Sequence, residues 1–175
     1  MLPRTTLLEP AQALCQAFAR SAPVPVLLSH FTSDPMPIAH EHGHPDLAPF
    51  LGRTFNGVDG VGHYFDLIAE HLAFEHVRFD PDDEWLVDGE SLAVCVRGRA
   101  RLVWRATGQS WNETFCYRLG LAEDQEGRGL KVQEYRVWAD TGAAYLASQG
   151  RLRELEGRSK KETREVMAGS VKRSV

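Results

Sequence analysis

The sequence predicts an α+β fold, with helices first and an antiparallel meander after them. Three observations carry this. Apolar residues recur at spacings of three and four through the first seventy positions, and from residue 74 the period shortens to two. Turn residues then join one strand to the next without helical crossovers, which separates α+β from α/β.

Residues 6 to about 20 place Leu7, Leu8, Ala11, Leu14, Cys15 and Phe18 on one helical face, with Pro10 in the first turn, where a missing N–H costs little. After Ser21-Ala22-Pro23 a second helix is expected over Val24 to Phe31. It ends at Thr32-Ser33-Asp34-Pro35, because the residue before a proline is pushed out of the helical region. Pro37 to His42 reads as a short extended segment. Gly57-Val58-Asp59-Gly60 then starts a third helix, with Asp59 as its N-cap and Val61, Tyr64, Phe65, Ile68 and Leu72 at helical spacing.

The second half reads as strands. Glu75 to Phe79 and Glu84 to Asp88 flank the turn Asp80-Pro81-Asp82-Asp83. In Leu92 to Arg105, Val94, Val96, Gly98, Ala100, Leu102 and Trp104 share one parity and Arg97, Arg99, Arg101 and Arg105 the other, so one face is buried and the other wet. Trp111 to Leu119 returns after a turn at 106–109, and Leu130 to Trp138 makes the last strand, stopped by Asp140-Thr141-Gly142. A sheet bent around a few N-terminal helices makes a cone, and the natural ligand site lies between its concave face and those helices.

Composition bounds the rest. A chain of 175 residues, 43% hydrophobic and 25% charged, suits one soluble domain. We place that domain at residues 6–148 and read 149–175 as a charged tail, a frayed helix or disordered extension. Residues 151–175 hold eight Lys and Arg against four Glu, so the formal charge of −4 divides into a tail of +4 and a body of −8. Acids interrupt the basic run and no aromatics accompany it, so neither nucleic acid nor a membrane surface is expected as partner. Glu9 and Pro10 interrupt the first apolar patch, and no small-residue cleavage pattern follows, so no secretory signal is expected and the protein reads as cytoplasmic. Cys15, Cys95 and Cys116 are odd in number and widely spaced, which fits reduced thiols.

The chemistry concentrates in Ile38-Ala39-His40-Glu41-His42-Gly43-His44, which sets three histidines and a glutamate on one short segment. Histidine titrates near neutrality and a buried glutamate can be raised toward it, so acid/base or metal chemistry is indicated. A metal at His40, His42 and His44 is the minor alternative. Gly43-His44-Pro45 breaks the strand, and no later Glu and His complete a cupin-like set, so no metal is assigned. No phosphate loop, Cys-x-x-Cys pair or serine elbow is present, and no cofactor is expected.

Leu27-Leu28-Ser29-His30-Phe31, the His-Glu-x-Gly segment at 40–43, Phe50-Leu51-Gly52-Arg53 and the helix start Gly57-Val58-Asp59-Gly60-Val61, followed by long strands, resemble the SnoaL-like branch of the nuclear-transport-factor-two-like superfamily. That superfamily includes ketosteroid isomerases and polyketide cyclases. The resemblance covers about residues 10–147. It implies a cystatin-like α+β barrel, dimerisation through the outer sheet face, and a cofactor-independent isomerase, cyclase or dehydratase acting on a hydrophobic carbonyl compound such as a polyketide or terpenoid. A non-catalytic ligand-binding or dimeric interaction module of the same fold is the alternative.

Matching the Gly43 turn to the family places His40 on the general base, with His42 beside it inside the cone and Glu41 facing away, solvated or paired with Arg53. The strand from Trp111 supplies the oxyanion donor, with Glu113 and Tyr117 as the polar candidates. Phe115 falls nearest the isomerases' protonated acid, which argues against steroid isomerisation. The expected catalytic residues are therefore His40, Glu113 and Tyr117. His42, Tyr64, Phe65, Trp104, Trp111, Phe115 and Trp138 are the expected pocket lining.

Overall fold

Glycine and proline punctuate the chain where the periodicity changes, and the elements follow that punctuation closely. The computed structural model describes residues 2–125, 129–155 and 157. Helix α1 (Arg4–Ala19) and the short α2 (Val24–Leu28) precede strands β1 (Ile38–Glu41) and β2 (Thr54–Asn56) and helix α3 (Gly57–His71). Strands β3 (Leu72–Phe79), β4 (Leu86–Asp88), β5 (Ala93–Trp104), β6 (Gln109–Glu123) and β7 (Leu130–Trp138) follow, and helix α4 (Thr141–Ser148) comes after the last strand.

The strands form one seven-stranded sheet in the order β2-β1-β7-β6-β5-β3, with β4 paired to β5. Every pairing is antiparallel except β1 with β7, so the sheet is mixed. Burial alternates strictly along β5 from Val96 to Trp104, with Val96, Gly98, Ala100, Leu102 and Trp104 inward. Helices α1 and α3 close the concave face, where Leu7, Leu14, Val61 and Tyr64 join Leu119, Val132 and Tyr135 in the core.

Five details differ from the sequence reading. Helix α3 starts at Gly57 with Asn56 at the N-cap position, so Asp59 lies inside its first turn rather than capping it. Helix α1 begins two residues earlier, so Pro10 lies in its interior, where it forgoes one backbone hydrogen bond. Helix α2 stops at Leu28 rather than Phe31, and Phe31 instead bridges to Val132 of β7. The segment 54–56, too short to show a period, pairs with β1 as β2. Asp140-Thr141-Gly142 stops β7 as expected, but it also opens a helix absent from the sequence reading: the Asp140 carboxylate accepts from the Ala143 N–H at 2.9 Å and caps α4. The start of the charged tail is held to the β5–β6 turn, where Gln109 accepts from the Leu152 N–H at 2.7 Å. Residues 158–175, most of the expected tail, lie outside the described residues.

The outer face carries the arginines. Arg97 and Arg99 both bind the Asp80 carboxylate at 2.6 Å, Arg101 binds Glu75 at 2.7 Å, and Arg118 and Arg136 both bind Glu134. Burial alone would raise the Asp80 carboxyl, but the Arg97 and Arg99 hydrogen bonds outweigh it and hold the group below its ordinary range. No helix among the described residues is long and apolar enough to cross a membrane.

Candidate functional site

Strand β1 aims the site. Its central residue Ala39 packs between Phe55 of β2 and Tyr135 of β7, both buried, and this fixes the face that β1 turns to the core. Glu41, two residues on, shares that face and opposes inward-facing Val137. The end of the strand is clamped where the Gly52 N–H donates to the Glu41 carbonyl at 2.9 Å. Gly52 sits at φ +63°, and a Cβ there would lie 2.4 Å from the Gly43 carbonyl oxygen, so only glycine allows the two segments this approach.

The orientation expected for β1 is therefore reversed. Glu41 points into the cone at 7% exposure, while His40 and His42 lie on the outer face. His40 Nδ1 hydrogen-bonds Thr54 Oγ1 at 3.0 Å, and the His42 ring stacks on Trp138 with centroids 4.3 Å apart. Trp138, expected in the pocket, is 42% exposed on that outer face. Arg53 spends its guanidinium on the carbonyls of Pro45, Ala48, Pro49 and Leu51 and does not meet Glu41. Among the described residues no cluster of three or more His, Cys, Asp and Glu could hold a metal ion, so His40, His42 and His44 do not assemble into a centre.

Four residues cannot display a hydrophobic period, and Ile38-Ala39-His40-Glu41 offers one apolar side chain to each face. A usable signal lay elsewhere. Tyr64 falls in the middle of the buried stripe of α3, and a buried phenol needs a partner. Glu41 provides it: the Tyr64 hydroxyl donates to Glu41 Oε2 at 2.8 Å.

Burial raises the Glu41 carboxyl to about 7, opposed by the Tyr64 hydrogen bond and reinforced by the nearby Glu113 carboxylate. Glu113 stands on the inward face of β6, as expected, with Trp111, Phe115 and Tyr117. It accepts from Trp111 Nε1 at 2.7 Å and from the Asp140 N–H at 3.2 Å, and burial lifts its carboxyl above the ordinary range as well. Tyr117 and Tyr135, with ring centroids 4.9 Å apart, are held as neutral phenols because burial raises both far above their usual range. Glu41, Glu113, Tyr64, Tyr117 and Tyr135 all line one small cavity of about 30 Å³ inside the cone. That space suits a single water.

A larger cavity of about 230 Å³ adjoins it, between α1, α2, α3 and β3. Phe18, Ile68, Leu72 and Phe74 line both, so these four side chains form the partition between an outer vestibule and the inner carboxyl chamber. Of the expected lining, Tyr64 and Phe115 reach the inner chamber and Phe65 the vestibule. Trp104 is buried and stacks against His71 at 5.4 Å, and Trp111 is buried as the donor to Glu113.

Helices packed on one face of a curled mixed sheet give an α+β fold, the cone shared with solved ketosteroid isomerase-like, NTF2-like and SnoaL-like structures. No family model and no curated protein matches the chain by sequence. Solved structures do match. A ketosteroid isomerase-like protein from Erwinia carotovora atroseptica is 16% identical with a TM-score of 0.58, over 78% of this chain and 95% of that one. A candidate SnoaL-like polyketide cyclase from Mesorhizobium loti is 12% identical with a TM-score of 0.54, over 74% and 96%. The BvnE pinacolase of Penicillium brevicompactum is 14% identical with a TM-score of 0.56, over 88% and 98%. At these identities the likeness establishes a shared fold.

Proposed function

We propose that the protein is a cofactor-independent acid–base enzyme, of isomerase, cyclase or dehydratase type, acting on a hydrophobic carbonyl compound, with Glu41 rather than His40 as the proton-transfer group. The observation that supports this reading is the buried Glu41 carboxyl, poised at about 7 inside an apolar cone lined with neutral phenols. A carboxyl at that value populates both forms near neutrality, so it accepts a proton from one carbon and returns it to another.

In this mechanism Glu41 Oε2 is held by Tyr64, and the carboxylate abstracts a proton from the carbon beside the substrate carbonyl. Negative charge moves to the carbonyl oxygen as the enolate forms. Tyr117, a phenol that keeps its proton, donates to that oxygen. Glu113, anchored by Trp111 and the Asp140 N–H, disfavours a second charge nearby and keeps Glu41 basic. The protonated Glu41 then delivers its proton to a different carbon, or to a departing hydroxyl in a dehydration.

The test is deuterium exchange of α-protons across a panel of cyclic ketones. Glu41→Gln should abolish catalysed exchange and His40→Ala should retain it. The opposite pattern would restore His40 as the base.

One observation favours a second reading. The inner chamber holds about 30 Å³, against roughly 300 Å³ or more for a typical ligand site, whereas the vestibule holds about 230 Å³. A carrier that seats its ligand only in the vestibule needs no movement of the partition. Such a protein would bind hydrophobic compounds and catalyse no exchange with any ketone.

A further inference from the structure

We infer that the vestibule is a recognition site for an amphipathic organic anion, with Arg105 at its rim receiving a carboxylate while the apolar body lies against the partition. The inference builds on the two-chambered pocket of the proposed function and names the class of molecule that enters it.

The lining divides sharply. Apart from Ser21 and Arg105, every side chain around the vestibule is apolar, including Phe18, Val24, Leu27 and Phe65. A cavity of this kind binds an apolar body with one polar group, and the sign of that group is set by the cation present.

Arg105 is built to remain in place. It follows β5 directly, and its N–H donates to the His71 carbonyl at 2.9 Å. Its Nε donates to the carbonyl of Ala69 in the last turn of α3 at 2.9 Å, which lacks a partner further along the helix, and to that of Leu72, the first residue of β3, at 3.1 Å. Capping uses Nε alone. Among the described residues, neither Nη atom makes a hydrogen bond and no carboxylate pairs with the guanidinium. The neighbouring outer-face arginines differ, since Arg97, Arg99 and Arg101 each engage Asp80 or Glu75. Arg105 therefore presents two oriented donors and an uncompensated charge to the vestibule, the arrangement that suits a planar carboxylate.

The whole-protein field does not account for an anion preference. The formal charge is −4, which repels anions at long range, so discrimination for a carboxylate has to arise locally at Arg105.

The test uses N-phenylnaphthylamine, a neutral dye that brightens in apolar sites, displaced by naphthylacetate or by its neutral isostere naphthylacetamide. Because Arg105 is exposed, the expected preference of the wild type for the acid is about fivefold. Arg105→Gln should abolish it, Arg105→Lys should keep part of it, and Ile68→Trp should remove dye binding by filling the vestibule. In the wild type the preference should fall toward unity in about 1 M salt, where exposed charges are screened. Equal displacement by acid and amide, a preference that survives Arg105→Gln or high salt, or dye binding unaffected by Ile68→Trp would each overturn the inference. Glu41→Gln should leave the preference intact, so proton exchange that persists in Glu41→Gln, with the anion preference retained, refutes the catalytic reading alone.

Discussion

Replacing Glu41 with glutamine should make the protein more stable above neutral pH and leave it nearly unchanged in acid. The carboxyl stands at about 7 in the fold against a reference of 4.5. Below pH 4.5 both the folded and unfolded chains hold the proton, and the group contributes nothing to the pH dependence. Between 4.5 and 7 the unfolded chain releases its proton while the fold keeps it, so stability falls as pH rises, at up to about 1.36 kcal/mol per pH unit. Above 7 the loss is complete, at about 3 kcal/mol. Glutamine keeps an oxygen to accept from Tyr64 and removes the ionisation, so Glu41→Gln escapes that loss. Urea unfolding of wild type and variant from pH 4 to pH 9 measures it, and the difference between the two cancels the titrating groups that are not coupled to Glu41. The free-energy gap should open across pH 4.5 to 7 and then stay level. Parallel curves over the whole range would show that Glu41 titrates normally and would remove the basis for its assignment as the proton-transfer group.

Three further outcomes follow from the same geometry. Tyr64→Phe deletes the hydrogen bond that holds the Glu41 carboxyl down, so the rising limb of exchange rate against pH should move to higher pH than in the wild type; a limb that stays fixed would separate Tyr64 from the acid–base group. Glu113→Ala strips the acceptor from Trp111 Nε1 and the Asp140 N–H and should lower unfolding free energy by at least about 2 kcal/mol, measured in urea at pH 7. Gly98→Ala would set a Cβ 2.3 Å from the Phe115 ring, which covers that strand, and should cost about 1–3 kcal/mol in the same assay.

The sequence made the strands of the second half legible because they are long. From Val96 to Leu102, β5 alternates apolar residues or glycine with arginine, a pattern that leaves one assignment of faces, and β6 inherits its inward set of Trp111, Glu113, Phe115 and Tyr117 by pairing with it. The inward orientation of Glu113 and Tyr117 was legible for that reason. Strand β1 has four residues, of which two are apolar and adjacent, so its parity depends on partners 96 residues away in β7. Two histidines beside a glutamate drew attention to the outer face of this segment, whereas the buried carboxyl of Glu41 lies on the other. The N-cap of α4 was present as Asp140-Thr141-Gly142, but the same residue types stop a strand, and only the bond to the Ala143 N–H distinguishes the two roles.

The raised Glu41 carboxyl and the narrowness of its chamber belong together. Burial is its largest cause, and Phe18, Ile68, Leu72 and Phe74 line the small space that Glu41 also lines, which suits one water. If those side chains swung aside to admit solvent, the carboxylate would be hydrated and its affinity for a proton would drop toward that of an ordinary glutamate. A substrate that opens the partition has to replace that water with its own apolar surface for Glu41 to remain a competent base. The vestibule is lined for this, since an apolar body held there displaces solvent from the partition before the partition moves. Compounds too small to fill the vestibule should therefore be exchanged poorly even when their carbonyl carbon is equally acidic. An acyclic ketone of matched acidity, compared with its naphthyl-substituted counterpart, isolates that effect: equal exchange rates would mean that Glu41 keeps its basicity without help from the substrate.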